Sequence, residues 1–137
     1  MSVTVFIVLL VLYALVAMKV EEWTTISLLG FKLEVPMLYL KHPALYVLAR
    51  WAIFVVVAIS AFNLEIPWYV GIAALFLAKL AADFISHRRA FSTFRRIHRF
   101  LAEDETDPNE LADIEAGARI TNTELKARLA LARKYAA

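Results

Sequence analysis

Three long apolar stretches, separated by short polar breaks, dominate the chain. The second and third lie between Ala44 and Ile85, and the break Asn63–Pro67 separates them. At 1.5 Å per residue, each stretch is long enough to cross ~30 Å of hydrocarbon as an α-helix. Asn and Pro favour turns, and Pro suits the first turn of a helix. We therefore predict that residues 44–85 form a transmembrane helical hairpin.

The first apolar stretch runs from Met1 to Met18 without a charged residue. A cleaved signal peptide is the alternative interpretation of such a stretch. No basic region opens it, however, and no clear small-x-small cleavage site precedes Lys19. We therefore predict a first transmembrane helix over residues 1–20.

Composition favours a membrane protein over a soluble helical hairpin. Hydrophobic residues make up 61% of the chain, and the mean hydropathy is +0.63. A chain of 137 residues is too short to cover helices that are apolar on all sides with a second layer of protein. The sequence contains no cysteine, which excludes disulfides and thiolate metal sites.

The linker over residues 21–43 has a pattern that differs from the apolar stretches. Phe31–Val35 alternates apolar and polar residues, Thr24–Ser27 favours β-structure, and Gly30 suits a turn between them. We predict a short interfacial β-hairpin here, although an isolated two-stranded hairpin is only marginally stable in water. An amphipathic or re-entrant element ending at Pro36 is the alternative.

A basic segment follows the third apolar stretch. Aromatic and aliphatic residues recur at helical spacing over residues 86–102, and the arginines fall largely on other faces, so we predict a basic amphipathic juxtamembrane helix. Its predicted contacts with anionic lipid are Arg88, Arg89, Arg95, Arg96 and Arg99. Nucleic acid is the disfavoured alternative partner, because juxtamembrane arginines usually determine topology and lipid contact.

The same arginines predict the orientation of the chain. Lys and Arg close to a span remain on the cytoplasmic side of the membrane. The break at Asn63–Pro67 carries neither, and Lys19 follows the first span with no positive charge before it. We therefore expect the N-terminus outside and the C-terminus in the cytoplasm.

The segment over residues 103–137 is predicted to be a cytoplasmic helical tail. Pro108 behind Asp107 suits a helix start, and Thr121 with Glu124 has capping-box spacing. Each tail helix is too short to be stable alone. The tail helices are expected to pack on each other or to dock on a cytoplasmic protein partner.

Three charged residues fall within the predicted hairpin: Arg50, Lys79 and Asp83. Arg50 and Lys79 both lie about fourteen residues, or roughly 20 Å, from the middle of the turn, so they are expected to share one level near the inner interface. The favoured interpretation is that they reach the headgroups and that Asp83 neutralises Lys79 one turn away. An ion or proton path is the alternative.

A strip of small residues marks the third apolar stretch. Gly71, Ala74, Ala78 and Ala82 recur at helical spacing. Small residues allow close approach of a second helix in lipid, so the strip predicts helix packing within the chain or with another subunit.

The sequence offers little chemistry. It contains no glycine-rich phosphate loop, nucleophile elbow or metalloprotease helix. Asp83 with His87, or His42 with His87, could in principle bind a metal ion or haem, but histidines at span ends are usually interfacial. We expect no catalytic residue, no bound metal and no cofactor, and we favour no enzyme class.

The predicted fold class is an all-α integral membrane protein with three transmembrane helices, a cytoplasmic helical tail and a short β-hairpin in the linker. The favoured function is an accessory, assembly or docking subunit of a larger membrane protein complex, with lipid and other membrane subunits as partners. The alternative is a homo-oligomeric ion channel or transporter that uses Arg50, Lys79 and Asp83. An enzyme acting on lipid or quinone at the inner interface has the least support.

Overall fold

The computed structural model describes residues 2–136. This part of the chain forms six α-helices and one short 3-10 helix at Lys32–Glu34. The α-helices are α1 (Val3–Leu28), α2 (Met37–Lys41), α3 (Pro43–Ala61), α4 (Trp68–Asp104), α5 (Pro108–Ala118) and α6 (Asn122–Ala136).

Helices α1, α3 and α4 are long and apolar enough to cross a membrane. Their most apolar windows have mean hydropathies of 2.6, 2.1 and 1.6. These properties are compatible with a membrane protein. Helix α4 has 37 residues, which corresponds to about 55 Å at helical rise and exceeds the thickness of the hydrocarbon core.

The predicted β-hairpin over residues 21–43 is wrong, because residues 2–136 contain no β-strand. Helix α1 continues to Leu28, beyond the predicted end of the first span at residue 20. Gly30 does lie in a turn, with φ of +102°, but this turn ends a helix and joins no strands. The fold class is therefore all-helical over the described residues, without the β-element.

Contacts among α1, α2 and α3 hold the helical linker. The hydroxyl of Thr24 donates to the carbonyl oxygen of Val20 at 2.8 Å, so this β-prone residue bonds back into the helix. The same hydroxyl lies 2.6 Å from that of Tyr39, which connects α1 to α2. The rings of Trp23, Tyr39 and Tyr46 pack with centroids 5.6–6.0 Å apart. Tertiary contacts thus override a short period-two pattern.

The three long helices form an up-down-up bundle in which α1 packs against both α3 and α4. A set of buried residues fills the bundle, and we call it the apolar core: Phe6, Tyr13, Ala17, Val57, Ala61, Leu75 and Ala82. The rings of Tyr13 and Phe54 lie 5.5 Å apart and tilted, an arrangement that aromatic pairs favour.

Large apolar side chains also cover the outside of the bundle. The following expose more than half of their surface: Ile7, Val8, Val11, Leu12, Leu15, Leu48, Val55, Val56, Ile59, Phe76, Leu77, Leu80 and Phe84. A monomer in water rarely exposes a contiguous apolar surface of this kind. The exterior of the bundle therefore suits lipid or another apolar surface.

The tail folds back onto the bundle. Helix α5 packs against α4, where a Cβ atom at Gly117 would overlap the ring of His98. Leu125 and Leu129 of α6 are buried. The guanidinium of Arg95 donates to the carbonyl oxygen of Ile120 at 3.1 Å. The tail thus has an in-chain docking surface on the extension of α4.

A tight turn between α4 and α5 starts this return. The side chain of Asp107 accepts a hydrogen bond from the N–H of Asn109 at 3.0 Å and caps α5. The carboxylate of Glu105 accepts from the N–H groups of Asp107 and Thr106, each at 2.9 Å. Hydrogen bonding to the charged form, chiefly from Asp107, lowers the pKa of Glu105.

Candidate functional site

Glu21 of α1 is the centre of a buried ionic network. Its side chain is 11% exposed and accepts a hydrogen bond from Arg50 Nη1 of α3 at 2.8 Å. The other carboxylate oxygen lies 3.0 Å from His87 Nε2 of α4. Arg133 of α6 donates to that same oxygen. One carboxylate therefore contacts three other helices.

Arg50 extends the network to a second carboxylate. Its Nη2 donates to Asp83 Oδ1 at 2.9 Å, and Lys79 Nζ donates to Asp83 Oδ2 at 3.0 Å. The guanidinium thus joins a carboxylate of α1 to one of α4, with one charge-assisted hydrogen bond to each. We call these six residues the charged layer: Glu21, Arg50, Lys79, Asp83, His87 and Arg133.

An aromatic ring borders the charged layer. The guanidinium carbon of Arg50 lies 5.7 Å from the centroid of Trp51, and Lys79 Nζ lies 6.0 Å from it. Both distances allow cation–π attraction. Trp51 is 44% exposed, and Trp prefers the boundary between hydrocarbon and water. Arg50 and Lys79 therefore lie beside a partly exposed aromatic ring as well as beside carboxylates.

Next to Glu21, Glu22 forms a second and looser set of ion pairs. It lies 3.6 Å from Arg89 and 3.9 Å from Lys19. Arg89 and Lys19 are about half exposed, so solvent weakens both pairs. Their main consequence is a further contact between α1 and α4.

The charges of the layer nearly balance. Arg50, Lys79 and Arg133 supply three cations, against the carboxylates of Glu21 and Asp83. Breaking one pair in such a network leaves a poorly hydrated charge behind, which costs more than the intact pair contributes. The arrangement is therefore suited to fixing the register of the helices.

A cleft of about 340 Å³ opens onto the charged layer. Glu21, Arg50, Lys79, Asp83 and Arg133 line it together with apolar and aromatic neighbours. The hydroxyl of Tyr13 is buried within electrostatic reach of Arg50. Polar groups thus continue from the cleft a short way into the bundle.

The structure brings Arg50, Lys79 and Asp83 together, as two ion pairs that share Asp83. Sequence reasoning missed Glu21, which falls in the predicted linker, and Arg133, which falls in the tail. A continuous helical phase from Phe6 through Tyr13 to Glu21 was the available signal for Glu21. No pattern in the sequence could have identified Arg133, since its contact with Glu21 spans 112 residues.

The small-residue strip divides by burial. Gly71 and Ala82 are buried, whereas Ala74 and Ala78 are half-buried. A Cβ at Gly71 would lie 2.9 Å from Leu64 Cδ1 and 3.0 Å from Ala61 Cβ, so a side chain there would force α3 and α4 apart. At Gly71, the close neighbour lies within this chain.

The five predicted lipid-contacting arginines have different environments. Arg89 pairs with Glu22, and Arg95 bonds to Ile120 and to the side chain of Asn122. Three of the five are exposed and form no ion pair with any residue that the structure describes: Arg88, Arg96 and Arg99. These three are available to an anionic surface.

The three histidines have different environments. His42 is exposed, and His87 belongs to the charged layer. His98 packs between the rings of Phe31 and Phe94, with centroids 5.4 and 4.3 Å away. Within residues 2–136, no group of three His, Asp or Glu side chains is arranged to hold a metal ion.

No family model matches this chain, and no curated protein or solved structure does. Three physical features of the molecule bear on its function: the apolar exterior, the charged layer and the docked tail. The contact between Arg133 and Glu21 connects the last two.

Proposed function

We propose that this protein is a multi-pass membrane protein in which α1, α3 and α4 cross the bilayer. The N-terminus lies outside and the C-terminus in the cytoplasm. The apolar exterior of the bundle supports the membrane placement. The exposed arginines beyond the third span, and the lack of Lys and Arg in the break Asn63–Pro67, support the direction.

Paired cysteine labelling tests this direction, because the natural chain has no cysteine. Glu65→Cys places a thiol in the exposed turn between α3 and α4, and Lys134→Cys places one on exposed α6. A membrane-impermeant maleimide is expected to label Glu65→Cys in intact cells and Lys134→Cys only after permeabilisation. The reverse pattern would contradict the proposed topology.

Within the membrane, the proposed role is an accessory, assembly or docking subunit of a larger protein complex. The observation that carries this proposal is that Arg50 satisfies carboxylates on two other helices. Charges that pair with each other in this way are better suited to fixing the register of the helices than to transporting ions. The tail packs on the extension of α4 and against α1, and its outer face presents charged side chains to a cytoplasmic partner.

Co-purification of the full chain in mild detergent tests this role. Charge reversal on exposed α5, with Glu110→Lys and Asp113→Lys, is expected to reduce recovery of a stoichiometric partner. Removal of residues 103–137 is expected to abolish it. Glu65→Gln, which removes an exposed charge in the turn between α3 and α4 and outside the tail, serves as the comparison. A chain that purifies alone under all these conditions would contradict the proposal.

The cleft supports a second candidate function, that of a homo-oligomeric ion channel or transporter. Its charged lining and the nearby Tyr13 hydroxyl are the supporting observations. Flux through liposomes that contain only this protein, and its loss on Asp83→Asn, would favour that alternative. Unchanged flux in Asp83→Asn would argue against it.

A further inference from the structure

A second cavity, of about 250 Å³, lies between α4 and α6. Its lining consists of Phe84, His87, Arg88, Phe91, Asn122 and Lys126. The ring of Phe91 is 2% exposed and stacks on that of His87, with centroids 6.0 Å apart. One part of the lining is therefore aromatic and the rest carries hydrogen-bond donors.

Two cations border this cavity without an anion to balance them. Arg88 and Lys126 come from different helices, and neither forms an ion pair with a residue that the structure describes. In the charged layer, by contrast, every Arg and Lys contacts a carboxylate. Like charges that face one cavity repel each other, and an anion between them removes that repulsion.

The remaining polar groups favour the same kind of ligand. The Oδ1 atom of Asn122 accepts a hydrogen bond from Arg95. Its amide N–H groups therefore remain as donors. With Arg88 and Lys126, this side of the cavity offers donors and positive charge, which is the chemistry that recognises phosphate.

The position of Phe84 identifies the source of the phosphate. Phe84 lies one turn before Arg88 on α4 and is 66% exposed. It therefore joins the cavity to the apolar exterior of the bundle. A ligand that places a phosphate between the cations and a hydrocarbon chain along Phe84 fits both parts of this surface.

We propose that this cavity binds the headgroup phosphate of one anionic glycerophospholipid, with Arg88 and Lys126 as its charged contacts. The inference rests on the membrane placement proposed above, since that placement puts Phe84 at the edge of the hydrocarbon. The bound lipid links α6 to α4, beside the contact of Arg133 with Glu21.

Native mass spectrometry of the full chain in detergent tests the site by titration with phosphatidylglycerol. Arg88→Gln with Lys126→Gln removes both cations. Arg128→Gln with Lys134→Gln is the matched control, because it removes one Arg and one Lys that are exposed on α6 and lie outside the cavity. Each basic side chain near an anionic headgroup contributes about fivefold, so the cavity variant is expected to bind roughly 25-fold more weakly. The control is expected to bind like the natural chain.

Equal binding by the cavity variant and the control would overturn the proposal. So would equal retention of phosphatidylcholine and phosphatidylglycerol, or saturable binding of inorganic phosphate that phosphatidylglycerol does not displace. These failures differ from failure of the membrane proposal, which would appear as a chain that remains soluble and monodisperse without detergent.

Discussion

Different interactions hold the helices together at the two ends of the three-helix bundle. Near the turn between α3 and α4, Phe6, Ala61 and Gly71 pack by shape alone, with Gly71 allowing close approach. Near the tail, Glu21, Arg50 and Asp83 hold the same three helices through two ion pairs. The end near the turn depends on the fit of apolar side chains, and the end near the tail depends on charge pairing.

In the proposed membrane setting, this difference matters because lipid is as apolar as a leucine side chain. Helices in a bilayer gain little from hydrophobic burial against each other, so packing and polar contacts determine how they associate. We propose that the apolar core permits the helices to lie together, whereas the charged layer selects one register. Loss of charge pairing should therefore have larger consequences than loss of an apolar contact.

The largest expected effect is that of Arg50→Ala. This change leaves Glu21 and Asp83 without their shared cation. Loss of one partner of a buried pair costs about 3–5 kcal/mol of unfolding free energy, and the lower end of that range is expected because Arg133 and Lys79 still pair with these carboxylates. Unfolding in mixed detergent micelles measures it. Arg50→Lys keeps the charge but not the fork, and is expected to recover only part of the loss. A cost below about 1 kcal/mol for Arg50→Ala would remove the distinction between the two ends.

A smaller effect is expected from Leu75→Ala in the apolar core. Leu75 is 1% exposed. Truncating a buried Leu costs about 2–5 kcal/mol in a soluble core, and in lipid, which is as apolar as Leu, only the lost packing and the cavity contribute to this cost. Leu77→Ala is the matched control, because Leu77 is 68% exposed on the same helix. If the two variants unfold alike, the apolar core is not the packing surface.

The smallest effect is expected from Arg133→Gln. The Arg133 side chain is 46% exposed, so its pair with Glu21 contributes less than about 1 kcal/mol. Faster hydrogen exchange in α6, with little change in the bundle, is the expected result. Lys134→Gln provides the control on the neighbouring residue. Equal exchange in both variants would show that the tail docks without this contact.

The sequence predicted the three long helices because each contains a predominantly apolar run that is long enough to cross a bilayer as an α-helix. It also predicted that Arg50 and Lys79 share a level, since helical rise gives the distance of each from the turn, and that Asp83 pairs with Lys79 one turn away. The linker prediction failed because residues 24–35 show a local β-pattern. Contacts such as that of Thr24 with Tyr39, 15 residues apart, outweigh it.

The centre of the candidate site was beyond sequence reasoning for a different reason. Glu21 follows an apolar run and was assigned to a linker, because a carboxylate usually ends a span. Its burial depends on Arg50, which is 29 residues away. Arg88 and Lys126 converge only because the tail folds back along α4. Periodicity within one segment carries no information on such pairings.

The most direct test of the charged layer is a double-mutant cycle between Glu21→Gln and Arg50→Met, measured as unfolding free energy in mixed micelles. If the pair fixes the bundle, the two changes are expected to be coupled by about 1.5–3 kcal/mol, so that the double variant loses much less than the sum. Additivity within about 0.5 kcal/mol would contradict the account, because Glu21 and Arg50 would then stabilise the protein independently.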